Sequence, residues 1–278
     1  MPESPEVQAL ADFLDVRITG RAIADVDILE FRTVKTRSRP PAQLVGDAVT
    51  TVRRLGKHVD LQFPDRHLVL TLGRYGWVRW SEPGTPSPLL DDPPPTLATI
   101  EFDDGGVAEA TDAGSWVSLA LWVVDDPREV PAIGKLGPDP ADPAFARADF
   151  DRPFVGRRKQ VKAILQDQES LAGIGNAYSD EILHTAKVSP VVQAAALSGA
   201  EVDRLYDATI TVIRDTTAAQ RGVPIDQLKA AKVAAMRVHG RAGQACPVCG
   251  DTIRDFAFAS TTAQYCPTCQ TGGTVLPG

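Results

Sequence analysis

The sequence predicts an α+β fold: a β-rich first part, a helical second part and a small metal module at the end. Three observations predict it. Strand-like alternation fills the first part behind one short helix. The apolar period turns helical after Arg157. All four cysteines fall between Cys246 and Cys269. A chain of 278 residues is long enough for two modest domains and an appendage.

The first helix is signalled by Ser4 as its cap, Pro5 in its first turn, and the stripe Val7, Leu10, Phe13 and Leu14. Val59-Asp60-Leu61-Gln62-Phe63 alternates strictly, and Leu68, Leu70 and Leu72 share one face of the next run. Ala98 to Phe102 and Trp116 to Trp122 also read as strands, with turns at Pro64-Asp65 and Asp103-Asp104-Gly105-Gly106. Ile133 to Pro143 is too rich in proline and glycine for a regular element. Beyond it, Val161, Ile164, Leu165 and Gln168 mark one helix, Asn176 to Thr185 a second, and Gly199 to Thr216 a third.

No run of ~18 apolar residues is present, which excludes a membrane-spanning helix. Met1-Pro2-Glu3-Ser4 lacks the basic and apolar regions of a signal peptide, so a cytoplasmic protein is expected. The net charge of −7 argues against a polyanion partner only if averaged over the chain. Asp91 to Asp151 is strongly acidic. Arg32, Lys35, Arg37, Arg39, Arg53, Arg54 and Lys57 form a basic stretch interrupted only by Asp47. Further basic runs are Arg152, Arg157, Arg158, Lys159 and Lys162, and then Arg237, His239 and Arg241. Such patches suit phosphates, although charge alone does not distinguish them from an ordinary solvated face.

Cys246-Pro-Val-Cys249 and Cys266-Pro-Thr-Cys269 are two pairs with a two-residue gap, which lets both thiolates of each pair meet one tetrahedral Zn²⁺. The residues between the pairs suit a hairpin. Four thiolates leave no open position for a substrate, so one structural zinc is expected.

Removal of Met1 would expose a secondary amine at Pro2. Such an amine can attack a sugar aldehyde carbon and form an iminium, which permits elimination. Its pKa of ~8 leaves part of it unprotonated near neutrality. Glu3 is adjacent and could move protons, and Glu6 lies one turn further on. By itself this terminus is a weak signal, because many chains begin Met-Pro, and it reads first as an ordinary chain start.

The stretch Lys162-Ala-Ile-Leu165-Gln-Asp167-Gln168-Glu-Ser-Leu-Ala172-Gly173-Ile174-Gly175-Asn176-Ala-Tyr178-Ser-Asp180-Glu181 resembles the helix–two-turn–helix element of the formamidopyrimidine-DNA glycosylase / endonuclease VIII family. The likeness extends to Pro2-Glu3-Ser4-Pro5-Glu6-Val7, Arg53-Arg54-Leu55-Gly56-Lys57-His58, Lys135-Leu136-Gly137-Pro138-Asp139-Pro140, and His239-Gly240-Arg241 with the cysteines and Gln270. It implies an N-terminal β-sandwich domain with an N-terminal helix over residues 1–131 and a linker over 132–151. A helix–two-turn–helix domain over 152–240 and a β-hairpin zinc finger over 241–278 would follow. The implied activity is that of a base-excision-repair DNA glycosylase with AP-lyase activity, acting on double-stranded DNA with a damaged base or abasic site. Pro2 would form a Schiff base with C1′, Glu3 would donate and accept protons, and Lys57 would favour β-elimination. Arg158, Lys162, Asn176 and Arg241 would contact phosphates, helped by backbone N–H groups at the turn and following helix start. The target nucleotide would flip into a cleft between the two parts. The resemblance also implies a monomer associated with a bacterial-type nucleoid.

Three departures matter. Thr261 stands where the family carries a finger arginine, and a hydroxyl cannot replace a bidentate phosphate clamp, so δ-elimination is not expected. Arg74 and Tyr75 stand where a methionine is common, and Asp112-Ala113-Gly114-Ser115-Trp116 lacks the usual arginine, which leaves Arg74 and Trp116 as DNA-facing candidates. Gln220 to Ile225 does not resemble the family's 8-oxoguanine capping loop. The alternative reading is a lesion- or structure-binding protein of the same fold with weak or no glycosylase activity.

Overall fold

The computed structural model describes residues 1–85, 92–259 and 261–277. Asp91, where the acidic stretch begins, and Ser260, in the finger hairpin, lie outside them. The chain divides into two compact units. The first comprises Met1–Pro2, Glu6–Lys135 and Arg221–Leu228, and the second Glu3–Pro5, Leu136–Gln220 and Lys229–Gly278.

Helix α1 (Ser4–Ile18) opens the chain. Val7, Leu10 and Leu14 of the expected stripe are buried, together with Ala11 and Ile18, while Phe13 is half-buried. Ser4 does not cap it. It is the first helical residue, and its buried hydroxyl has no hydrogen-bond partner among the described residues.

Eight strands follow among the described residues: β1 (Ile23–Ile28), β2 (Thr51–Leu55), β3 (His58–Gln62), β4 (His67–Thr71), β5 (Gly76–Ser81), β6 (Thr96–Phe102), β7 (Val107–Asp112) and β8 (Ala120–Val124). They form two four-stranded sheets, ordered β1-β6-β7-β5 and β2-β3-β4-β8, with every pair antiparallel. Apolar residues of both sheets and α1 share one core, including Leu61, Leu70, Val78, Phe102 and Leu121. This is the β-sandwich behind an N-terminal helix.

Two details depart from simple alternation. Asp60 should face water from β3, yet it is fully buried, because its carboxylate accepts from Arg53 Nε and pairs with His67 Nδ1, both at 2.9 Å. The strand expected from Trp116 begins only at Ala120. Residues 113–119 instead wrap around Asp112. Its Oδ1 accepts from Gly114 N at 2.9 Å, and its Oδ2 accepts from Ser118 N, Ser118 Oγ and Leu119 N at 2.8, 2.8 and 3.0 Å. Burial opposes the Asp112 charge, but these bonds hold its carboxyl below the usual range.

The second unit holds α2 (Arg147–Asp151), α3 (Val161–Leu165), α4 (Asn176–Ala186) and α5 (Gly199–Gln220). With them are most of α6 (Leu228–Ala235), the hairpin β9 (Arg254–Phe258) and β10 (Thr261–Tyr265), and α7 (Pro267–Thr271). The second and third expected helices are present as α4 and α5, but the first stops at Leu165. Gln168 lies beyond it and organises the turns: its Nε2 donates to Gln166 O and Ile174 O, and its Oε1 accepts from Gly173 N. The proline-rich segment is tied to the same turns. Gly137 N donates to Gln168 O at 2.8 Å, and a Cβ on Gly137 would meet Glu169 O at 2.5 Å. Helix α6 has no counterpart among the expected elements, although Leu228-Lys-Ala-Ala-Lys-Val-Ala-Ala is a run of good helix formers.

Helix α4 is almost wholly buried, including Asp180 and Glu181 at its centre. Lys162 Nζ sits 2.6 Å from Asp180 Oδ1 and donates to Ser179 Oγ at 2.7 Å. Both partners of this ion pair are fully buried. Asp180 Oδ2 also pairs with His239 Nδ1 at 2.7 Å and accepts from Gln264 N. The Glu181 carboxylate accepts three backbone N–H groups, from Arg237, Val238 and His239, at 2.9 to 3.0 Å. Two adjacent acids thus fasten α3, the chain entering the finger, and β10 to one helix. Removing one member of a buried pair leaves an uncompensated charge. Lys162→Met should therefore cost about 3–5 kcal/mol in urea unfolding. A loss within ~0.5 kcal/mol, the range of ordinary surface changes, would contradict this role.

Candidate active site

Glu3 follows Pro2 directly and is buried. Gly175 N donates to its Oε2 at 2.5 Å, Ala177 N to its Oε1 at 3.0 Å, and Tyr178 N to its Oε2 at 3.4 Å. These N–H groups lie at the start of α4, where the first turn has no intrahelical acceptors and the helix dipole favours an anion. Ser4 N also donates to Gly173 O at 3.0 Å. The glycine at 175 is dictated by this approach, because a Cβ there would lie 2.6 Å from the Glu3 carboxyl carbon. The helix start expected to receive a DNA phosphate is therefore occupied by the chain's own carboxylate.

Lys232, on α6, places Nζ 3.5 Å from Glu3 Oε1 and 4.5 Å from the centre of the Tyr178 ring. The Tyr178 hydroxyl in turn accepts from Gln220 Nε2 at 3.2 Å. No motif marks Lys232 in the sequence; the helical composition of residues 228–235 was the available signal. Pro2 is half-buried beneath an exposed Met1. Lys57 follows Gly56, whose φ of 58° turns β2 into β3. The neighbouring His58 imidazole is pushed down to about 4 by burial and by the Lys57 charge, and its Nδ1 lies 2.6 Å from Thr71 Oγ1.

The structure reassigns two of the four residues expected at phosphates. Lys162 is consumed by its buried pair with Asp180. Arg241 grips helix α6, donating to the carbonyls of Val233, Ala234 and Met236 at 3.1 to 3.4 Å, where a cation complements a helix C-terminus. Asn176 donates from Nδ2 to Thr262 O at 2.9 Å and accepts from Gln166 Nε2 at 3.0 Å, joining α4 to the finger hairpin. Arg158 is exposed.

In the first unit, Arg74, Tyr75 and Trp116 come together. The Arg74 guanidinium lies 5.4 Å over the Tyr75 ring, and Tyr75 meets Trp116 edge to face at 6.1 Å. Trp116 is 56% exposed, so it is no core residue. It also lines an open groove with Arg32, Lys35 and Arg37, bringing an aromatic face to the first basic patch. In the segment expected not to form a capping loop, Arg221, Gly222 and Pro224 are exposed, while Ile225 is buried and accepts from the Trp77 indole at 3.0 Å through its carbonyl.

The four Sγ atoms of Cys246, Cys249, Cys266 and Cys269 lie within 4.8 Å of one another. Zn–S bonds of about 2.3 Å in a tetrahedron separate sulfurs by about 3.8 Å. The measured pairs are 3.9 Å for Cys246–Cys269 and 3.4 Å for Cys249–Cys266, so the donors fit one structural Zn²⁺. His184 Nε2 is 3.2 Å from Cys246 Sγ, the support from a second layer that metal thiolates commonly have. Gln270 carries the knuckle onto the helical core by accepting from Cys266 N and donating to Val188 O. Thr261, at the hairpin tip, donates to Phe258 O. Metal-ligand energy is folding energy in so small a module. Chelation should therefore loosen the finger and weaken DNA binding together; normal DNA affinity after verified metal loss would contradict this.

Comparison with known proteins agrees with this geometry along the chain. The profile of the formamidopyrimidine-DNA glycosylase N-terminal domain matches residues 1–115, that of its H2TH domain residues 136–225, and that of the zinc finger found in FPG and IleRS residues 243–272. A formamidopyrimidine-DNA glycosylase of Methylococcus capsulatus is 32% identical over 287 residues, covering 97% of this chain and 100% of that protein. An uncharacterized formamidopyrimidine-DNA glycosylase-like protein of Mycobacterium tuberculosis is 47% identical over 141 residues, 51% of this chain and 88% of that one. Among solved structures, the MutM (Fpg) protein of Thermus thermophilus superposes with a TM-score of 0.81 at 28% identity, covering 97% and 99% of the two chains. The Lactococcus lactis Fpg in complex with abasic-site DNA gives 0.83 at 25% identity, covering 96% and 99%. With its buried glutamate, its glycine-bounded helix start and its four-thiolate knuckle in the matching order, the chain belongs to the formamidopyrimidine-DNA glycosylase family.

Proposed function

We propose that this chain removes a damaged base from double-stranded DNA through its Pro2 amine and then cleaves the strand by β-elimination. The coarser statement, a DNA glycosylase of base-excision repair, follows from membership of the family. The observation that carries the finer reading is the fixation of Glu3, one peptide bond from Pro2, by three backbone N–H groups at the start of α4. A buried carboxylate held beside a potential amine nucleophile has an obvious use in moving that amine's protons.

Once Met1 is removed, the Pro2 nitrogen attacks C1′. The glycosidic bond breaks, and the base leaves with the bonding electrons. Glu3 takes the proton from the nitrogen and returns it to the ring oxygen as the C1′–O4′ bond opens, leaving the iminium. Glu3, again a carboxylate, takes a C2′ proton, and the resulting electron pair expels the 3′ phosphate, with Lys57 placed in this reading to offset the charge of the leaving group. Thr261 offers no charge for a second phosphate, so the reaction stops at β-elimination. Arg158 and the groove of Arg32, Lys35 and Arg37 supply sequence-independent phosphate contacts. Trp116, with Arg74 and Tyr75, fills the gap that base flipping leaves. The abasic-site DNA bound by the Lactococcus lactis relative supports this class of partner.

Borohydride trapping on a duplex with one abasic site tests the reading. The wild type should give a covalent adduct, and Pro2→Gly with an acetylated N-terminus should give none. Tight binding by the wild type with no adduct would favour the alternative of a lesion-binding protein without lyase chemistry. A second variant tests Glu3 without touching it. Gly175→Ala forces the carboxylate away, and displacement of a catalytic group by about 1 Å costs roughly 100-fold in rate. Trapping should slow by that order while abasic-DNA affinity holds; a wild-type trapping rate would sink the assignment of Glu3.

A further inference from the structure

We propose that Lys232 is a positioning residue for the Glu3 carboxylate, a cation clamp carried on α6 that aims Oε1 during proton transfer. The inference rests on the role of Glu3 given above. Its Nζ is 3.5 Å from Oε1 and its side chain is 12% exposed, so the attraction acts through little water. The Tyr178 ring lies under the ammonium at 4.5 Å, and Tyr178 N donates to Glu3 Oε2. One residue of α4 therefore backs both the cation and the carboxylate.

The geometry separates the two oxygens. Oε2 is fixed by Gly175 N at 2.5 Å and Tyr178 N at 3.4 Å. Oε1 has Ala177 N at 3.0 Å and the Lys232 charge at 3.5 Å, beyond the 2.7–2.9 Å of a tight charge-assisted bond. A charge at that distance adds to the Ala177 bond without replacing it, and so biases the orientation of a carboxylate that must give and accept a proton. The rest of α6 holds the lysine in place. Ile225 and Leu228 at its start are buried, and Arg241 binds the carbonyls at its end. Arg241 acts on the chemistry through this helix, two contacts away from Glu3. An ammonium here also keeps one positive charge at the reaction centre in a chain whose hairpin tip carries Thr261.

The test uses the full zinc-loaded chain with Met1 removed, on abasic-site duplex, under single turnover. Lys232→Met should slow borohydride trapping at saturating enzyme by roughly 10- to 100-fold and change DNA affinity less than about threefold. Lys232→Arg should recover most of the rate. An unchanged rate for Lys232→Met, or a loss of affinity at constant rate, would overturn the proposal; the latter would make Lys232 a phosphate contact. If the wild type itself gives no adduct, the lyase reading fails, and the clamp is judged on stability alone. Urea unfolding of Glu3→Gln, Lys232→Met and the double variant must then show a non-additive midpoint shift, and strict additivity would overturn the clamp.

Discussion

The carboxylate of Glu3 sits on the N-terminus of α4, and much of the second unit is arranged around that contact. Three backbone donors converge on it, Gly175 cannot carry a side chain because of it, and Lys232 and Tyr178 close around it. Consecutive Cα atoms are about 3.8 Å apart, so whatever fixes Glu3 also limits where Pro2 can be. A chain terminus is otherwise among the most mobile parts of a protein. Here the residue beside it is buried and hydrogen-bonded three times.

Helix α4 is tied to its surroundings by two buried acids. Asp180 neutralises Lys162 and reaches His239 and β10, while Glu181 collects three N–H groups from residues 237–239. Burial pushes the Glu181 carboxyl up, and the three backbone donors oppose that push. His184, one turn further along, touches Cys246 of the knuckle. One short helix thus holds the carboxylate at its start, the finger's entry at its centre and the zinc site near its end. Metal binding and the geometry of Glu3 are linked through a single rigid element rather than through a chain of loops.

The elements that the sequence made legible are those set by local rules. Cysteine spacing specifies a knuckle because two residues between thiolates is a matter of bond lengths. Alternation in residues 59–63 and the stripe of α1 report burial directly. The glycines around Ile174 announce a tight turn. What was not legible was the destination of charge. Lys162, Arg241 and the N–H groups of α4 all look suited to phosphates, because a cation or a helix start has the same sequence signature whatever anion it meets. Lys162 meets an aspartate 18 positions away, Arg241 meets the carbonyls of α6, and the helix start meets a residue more than 170 positions distant. Such pairings are set by how the chain packs, over 5 to 8 positions for Arg241 and over 172 for Gly175 with Glu3, which one sequence does not display.

The same distinction bears on Thr261. A hydroxyl at residue 261 offers no charged clamp, yet the start of β10 is tied in: Thr261 donates to Phe258 O, and Thr262 O accepts from Asn176 Nδ2. An unused tip would have no need to be tied to the helix that anchors Glu3. The hairpin stays tied to α4 with a hydroxyl at residue 261, while a cation, Lys232, stands beside Glu3 on α6. A guanidinium at a tip would reach outward to a phosphate, whereas an ammonium with 12% of its side chain exposed acts inward on a carboxylate. On the proposed chemistry, that balance of charge would serve proton handling at the sugar over capture of a second phosphate.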